Sequence, residues 1–238
     1  MPKAIIIGAS SGIGKALCIE LIKKGYQVGI AARRGNKLKN IQKQYPKNII
    51  YRQLNVQYRR KAIERIQELI KDLGGLDLLI IATGIGYINH QLNWETEKKT
   101  IRTNVEGITG ILSWAYKMFA SQGGGHIACI SSIAGIRGNR YAPAYSSSKA
   151  YQIAYLEALN AKSYKEKTRV IITDIRPGFV DTDMIGGDHL FWIASPEKTA
   201  RQIYKGLRSK NKVIYVTKRW KWIAFMLKTM PFHLIKRL

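Results

Sequence analysis

Short apolar runs and helix-patterned segments take turns along almost the whole chain, and that alternation most restricts the fold. Residues 3–7 (KAIII) are continuously apolar and end against glycines, the pattern of a strand buried on both faces. In residues 12–24, Ile13, Leu17, Leu21 and Ile22 recur at helical spacing. Strand-like runs follow at 26–32, 48–54, 76–82, 125–131, 169–175 and 212–216. Helix-like segments fall at 36–45, 59–73, 95–121, 142–164 and 196–207, with Pro143 near the start of its helix, where proline is tolerated. Strand, helix, strand in this order predicts one doubly wound parallel α/β sheet with helices on both faces. A chain of 238 residues suits a single such domain, assigned to residues 1–216, with a tail at 217–238 beyond the last strand.

Cys18 and Cys129 each lie in an apolar segment and read as reduced core residues, which makes a cytoplasmic compartment the expectation. Strand residues begin at position 3, so no signal peptide is expected, and no apolar run approaches the length of a bilayer span. The net charge of +25 is unevenly spread: no acid lies between Glu20 and Glu64, and none follows Glu197. A well-solvated lysine-rich surface accounts for such a charge, and so do a polyanionic cofactor, an anionic membrane surface or nucleic acid. No recognised nucleic-acid motif is present, so nucleic acid is not an expected partner. His90, His126 and His189 lack a neighbouring ligand set, and no metal is expected.

Gly8, Gly12 and Gly14 stand between the first strand and the first helix. A helix start offers unpaired N–H groups and a positive dipole end, and glycine lets the backbone turn sharply and approach a phosphate closely. At the end of the second strand, where an acid would bind a ribose 2′-hydroxyl, the chain reads Ala32, Arg33, Arg34. A missing carboxylate beside guanidinium groups favours a 2′-phosphate, hence NADP(H) over NAD(H).

Tyr145 and Lys149 are four apart on a predicted helix and share a face. An ammonium beside a phenol favours phenolate, so the lysine is expected to lower the tyrosine pKa and suit it to proton exchange. Ser131 and Ser132 end the strand before, at the sheet edge where ligands bind in doubly wound folds. Asn104 interrupts a helical stretch that it does little to support. Pro177, Gly178 and Thr182 (IRPGFVDTD) follow the sixth strand on the same rim, where Asp181 and Asp183 read as capping or loop residues.

The G-x-x-x-G-x-G spacing, Ser132 thirteen residues before Tyr145, Y-x-x-x-K and the P-G segment together resemble the short-chain dehydrogenase/reductase family over residues 3–216. The resemblance implies a Rossmann fold and a catalytic set of Asn104, Ser132, Tyr145 and Lys149. In it the tyrosine is the general acid/base and the serine holds the substrate oxygen. The lysine also bonds the nicotinamide ribose, and the asparagine anchors a water of the proton relay. It implies cofactor contacts from Gly8, Ser10, Ser11, Gly12, Ile13, Gly14, Arg33, Arg34, Asn55, Val56, Gly84, Tyr145, Lys149, Pro177, Gly178, Val180 and Thr182. Two departures stand out: Ala82 replaces the usual asparagine of the N-A-G turn, and Asn55 replaces the acid after the third strand. Asparagine still donates and accepts hydrogen bonds there.

The leading expectation is an NADP(H)-dependent oxidoreductase acting on a carbonyl or secondary alcohol. The competing class is a non-catalytic Rossmann protein that senses cofactor or scaffolds a partner at a membrane surface. Phe179, Met184, Ile185, Leu190, Phe191, Trp192 and Ile193 make the lid region after the sixth strand apolar, which favours a lipophilic substrate. Apolar residues on more than one face of helix 142–164 imply a homo-oligomer, a dimer or tetramer. The tail mixes Trp220, Trp222, Phe225 and Met226 with Lys218, Arg219, Lys221, Lys228, Lys236 and Arg237, and Pro231 splits it. It suits either an anionic membrane surface or a cover over the protein's own cleft or a neighbouring subunit.

Overall fold

The computed structural model describes residues 1–182 and 192–235. The expectations placed on Asp183, Met184, Ile185, His189, Leu190, Phe191, Lys236, Arg237 and Leu238 lie outside the described residues. Seven strands form one sheet: β1 (Lys3–Ile7), β2 (Gln27–Ala32), β3 (Ile49–Gln53), β4 (Leu78–Ile81), β5 (Gly125–Ile130), β6 (Val170–Pro177) and β7 (Val213–Val216). Their spatial order is β3-β2-β1-β4-β5-β6-β7, and every pairing is parallel. The chain winds outward from β1 to β3, then crosses back to set β4 against the other side of β1. The loops leaving β1 and β4 therefore diverge, and the crevice between them is the ligand-binding position of such sheets.

Period-two alternation divides the continuous apolar strands between two cores. In β1, Ile5 and Ile7 join one buried cluster and Ala4 and Ile6 the other. The first cluster takes its helical side from α3 (Arg59–Leu73), α5 (Ile108–Ser121) and α6 (Pro143–Lys165). The second takes it from α1 (Gly12–Lys23), α2 (Gly35–Gln44) and α7 (Pro196–Arg208). Cys18 and Cys129 are buried and unpaired in these layers, and burial pushes both thiols up to about 12. His126 is half-buried, and desolvation holds it down to about 4, its Nε2 2.8 Å from the Thr173 hydroxyl.

The predicted helix 95–121 is broken in two. α4 (Trp94–Ile101) and α5 are joined by a π-helical turn at Arg102–Gly107. Such a turn holds an extra residue and re-aims the side chains within it.

Beyond β7 the tail folds back as α8 (Trp220–Thr229) and α9 (Phe232–Ile235), divided at Pro231. Trp220 and Ala224 are buried against Ile133, Ile136, Phe179 and Tyr215. Trp220 occupies the space a side chain at residue 178 would need: a Cβ there would stand 2.0 Å from its ring. Arg137 caps the far end, with Nε donating to the Leu227 carbonyl at 2.7 Å and Nη2 to those of Lys228 and Met230 at 2.8 and 3.0 Å. These satisfy carbonyls that a helix C-terminus leaves orphaned. Hydrogen bonds from a charged donor contribute about 1.5–3 kcal/mol each, against at most about 1 for an exposed ion pair. Trp220 and Arg137, rather than surface ion pairs, hold the tail in place.

Candidate active site

The glycine loop closes one end of the crevice. Gly8 (φ 97°) and Gly12 (φ 53°) are left-handed. A Cβ on Gly14 would stand 2.2 Å from the Gly8 carbonyl oxygen, so its bare backbone is what lets the first turn of α1 close onto the loop. Ser11, the N-cap of α1, makes no side-chain cap bond, and the first turn holds no acid. Instead Ser11 Oγ accepts from Arg34 Nη2 at 2.7 Å, and Ser10 Oγ accepts from Arg34 Nη2 and Nε at 2.9 and 3.1 Å. Arg34 is thus the guanidinium joined to the glycine loop, and Arg33, also exposed, lines the same cavity. Such a loop, with helix-start donors, two hydroxyls and a guanidinium, fits the phosphates of a dinucleotide.

A single cavity of about 740 Å³ runs from this loop to the ends of β5 and β6. Every site residue expected from sequence lines it except Asn104. Asn104 sits in the π-helical turn, fully buried behind the wall. Its Oδ1 accepts from the Ile85 N–H at 2.9 Å, and its Nδ2 donates to the Ile85 carbonyl at 2.7 Å and to Ser148 Oγ at 3.0 Å. The extra residue of the turn aims an asparagine at the β4–α4 loop, where a regular helix would lose it to another face. Asn55 turns its Oδ1 onto the Gln57 N–H at 3.1 Å, a local turn contact at the cavity edge.

The two serines at the end of β5 separate cleanly. Ser131 Oγ donates to Asp174 Oδ1 and to the Ile175 carbonyl, facing the sheet. Asp174 also accepts from Arg176 Nε at 2.5 Å, and Arg176 Nη1 donates to the Tyr215 hydroxyl at 2.9 Å. Ser132 Oγ accepts from the Ala134 N–H at 3.1 Å, and Ser132 lines the same cavity as Tyr145 and acts to lower its pKa.

Lys149 is buried, with Nζ donating to the Ile130 carbonyl at 2.9 Å and to Gln152 Oε1 at 3.1 Å. Gln152 Nε2 in turn donates to the Asn104 carbonyl at 2.8 Å. A side chain therefore bridges Lys149 to the Asn104 backbone. Burial pushes the Lys149 ammonium down to about 8, against the opposing pull of Cys129 and Asp174. Burial also raises the Tyr145 phenol above its ordinary range, outweighing the lowering effect of Ser132. This corrects the expectation that the ammonium lowers it: Nζ lies 5.8 Å from the Tyr145 ring centroid, and desolvation dominates. At neutral pH the pair holds a protonated phenol, a proton donor to an oxygen placed beside Ser132.

Sequence reasoning missed several supports. A Cβ on Gly86 would stand 2.6 Å from the Tyr145 ring, so the second glycine of TGIG seats that ring. A Cβ on Gly84 would stand 3.3 Å from Lys149 Nζ and 3.6 Å from Asn104 Oδ1, so Gly84 packs directly against this pair. Glu97 Oε2 accepts from the Ala144 N–H at 3.1 Å at the start of α6. The glycines were visible as a turn; the buried polar partners had no local signature.

The chain belongs to the short-chain dehydrogenase family, whose model matches residues 2–189. It is 33% identical over 186 residues to a protein of Myxococcus xanthus (strain DK1622) named an uncharacterized oxidoreductase, covering 76% of this chain and 73% of that one. A 3-oxoacyl-[acyl-carrier-protein] reductase of Homo sapiens is 29% identical over 181 residues, 75% of this chain and 76% of that one. Among solved structures, ElxO with NADP bound is similar at a TM-score of 0.80 and 25% identity, over 90% of this chain and 96% of that one. The chain is an oxidoreductase of this family.

The Lys149 value sets a pH limit. Its proton is held below about 8 and lost above, and the neutral amine then no longer attracts an anionic cofactor into the cavity. In a pH series, kcat/KM for the nicotinamide cofactor, which reports the free enzyme, is expected to fall by about tenfold per unit above that point. A flat profile to pH 10 contradicts the assignment.

Proposed function

We propose that the protein is an NADP(H)-dependent oxidoreductase that moves hydride between nicotinamide and a lipophilic carbonyl or secondary alcohol. The observation that carries this reading is Tyr145 lining one cavity with Ser132 and buried Lys149, across from the Gly8–Gly14 loop. The cofactor supplies the hydride when bound. Tyr145, kept neutral by burial, gives its proton to the substrate oxygen, which favours reduction. Ser132 holds that oxygen, Lys149 bonds the ribose hydroxyls, and Asn104 fixes the wall through Ile85. Ser10, Ser11 and Arg34 take the 2′-phosphate, in keeping with the NADP bound to ElxO.

Tyr87, Ile88, Tyr141 and Phe179 line the cavity, and the first three are also exposed at its mouth, which supports a lipophilic substrate. The name of the human relative points the same way, toward a 3-oxoacyl group. The enzyme works in the cytoplasm, with residues 1–216 as catalytic domain and 217–238 as an appendage on an anionic membrane surface. It assembles as a homodimer or homotetramer through α6, where Tyr151, Ala154 and Ala158 are exposed. Tyr155 stacks on Tyr151, whose hydroxyl lies 2.9 Å from that of Thr109 on α5.

Tyr145→Phe is expected to lower turnover of an NADPH-coupled ketone or aldehyde about 10²–10⁴-fold, with NADPH binding by fluorescence unchanged. Wild-type rates would remove Tyr145 from the chemistry. Ala32→Asp with Arg34→Ala removes a charged phosphate partner and adds a 2′-hydroxyl acceptor. The kcat/KM ratio of NADPH to NADH is expected to drop at least about tenfold, and an unchanged ratio counts against NADP(H). Light scattering should give a mass of two or four chains at micromolar concentration; a monomer throughout refutes assembly.

A further inference from the structure

α8 is fastened by one face only. Trp220 and Ala224, four residues apart, are buried, and Ile223 and Leu227 are half-buried beside them. On the other side Trp222, Phe225 and Met226, spaced i, i+3 and i+4, are 73%, 62% and 59% exposed. Leu234 of α9 is also exposed. Lys218, Lys221 and Lys228 stand exposed around this apolar group, and Arg219 lies over the ring of Trp192, itself half in solvent. No acid follows Glu197 to offset them.

Two properties of the face select its occupant. Its apolar residues are too few to cross a bilayer, since no helix among the described residues is long and apolar enough to span one. Its rim carries one sign of charge on a chain of net charge +25, so a second copy would set cations against cations. Large aromatics ringed by lysines match the headgroup boundary of an anionic bilayer, where the indole sits at headgroup level and the ammoniums meet phosphates.

We propose that α8 lies in the surface of an anionic bilayer, inserting Trp222, Phe225 and Met226 while Lys218, Lys221 and Lys228 pair with lipid phosphates. This deepens the membrane placement above by naming the face, and it stands whether or not the oxidoreductase reading holds. Because the buried face of α8 packs through Trp220 on Gly178 and Phe179, which line the cavity, docking brings the cavity wall beside the lipid. A lipophilic substrate then enters from the bilayer without crossing water.

The test is sedimentation of the full chain with vesicles of equimolar phosphatidylglycerol and phosphatidylcholine, and with phosphatidylcholine alone, at about 0.1 M salt. Two variants accompany it: Trp222→Ser with Phe225→Ser, and Lys218→Glu with Lys221→Glu. All four positions are exposed, and NADPH binding with reduction of a water-soluble aldehyde monitors the fold and the reaction separately from docking. The expected result is binding of the wild type to the anionic vesicles only, with each variant weakened roughly tenfold or more. No binding by the wild type overturns the proposal. Equal binding by the apolar variant also does, since bulk charge would then suffice. A fall in oligomer mass with Trp222→Ser and Phe225→Ser overturns it in favour of an interface between copies.

Discussion

The active-site half of the molecule is arranged around one buried ammonium. An unpartnered charge in a protein interior costs several kcal/mol, so Lys149 requires partners that do not move. It takes the Ile130 carbonyl, at the last residue of β5, and Gln152, one turn along α6. Gln152 passes the constraint to the Asn104 carbonyl, and Asn104 passes it to both backbone groups of Ile85 in the loop after β4. Four separate elements are thereby registered to one nitrogen, and Tyr145, one turn before Lys149 on α6, inherits their precision. The same burial that makes Lys149 demanding keeps the Tyr145 proton in place.

Much of this was legible in the sequence because periodicity and backbone chemistry are local. The seven strands, the single sheet and the glycine loop followed from apolar runs, helical spacing and residues able to take positive φ. The pairing of Tyr145 with Lys149 needed only the pitch of a helix. What stayed hidden depends on contacts between distant segments. Arg33 and Arg34 are chemically identical in sequence, and only the position of Ser10 and Ser11 distinguishes them. Asn104 read as a weak point in a helix, whereas it occupies a π-helical turn whose extra residue turns it inward. The direction of the Tyr145 shift does not show in the sequence, because proximity to an ammonium is visible there and desolvation is not.

The tail shows how a segment outside the catalytic pattern becomes part of its support. Gly178 lacks a side chain where Trp220 needs the space, so the segment leaving β6 and the start of α8 are fitted to each other. Below them, Ser131, Asp174, Arg176 and Tyr215 form a continuous polar chain from the end of β5 to β7. Burial raises the Asp174 carboxyl while Arg176 and Ser131 hold it down, so the carboxylate depends on keeping both partners. Tyr215 also packs into the cluster around Trp220. Displacing α8 would therefore disturb the strand ends that carry Ser132 and Gly178 as well as the tail itself.

The charge distribution follows the same division of labour. The carboxylates pair away from the crevice: Glu68 and Asp72 with Arg52 on the β3–α3 side, and Glu166 with Lys162 and Tyr116 between α5 and α6. Asp174 is committed to Arg176 beneath the cavity. Among the described residues, the cavity lining contains Arg33, Arg34 and Lys149 and no Asp or Glu. A low-dielectric cleft of one sign focuses its field outward and raises the local concentration of an oppositely charged ligand. A dinucleotide carrying several phosphates gains most from such a cleft, and one with an added 2′-phosphate gains more than one without it. Most of the 40 Lys and Arg residues lie outside this lining, on exposed helix faces and along the tail, so the sign of the cleft comes from the absence of carboxylates in it as much as from its own cations.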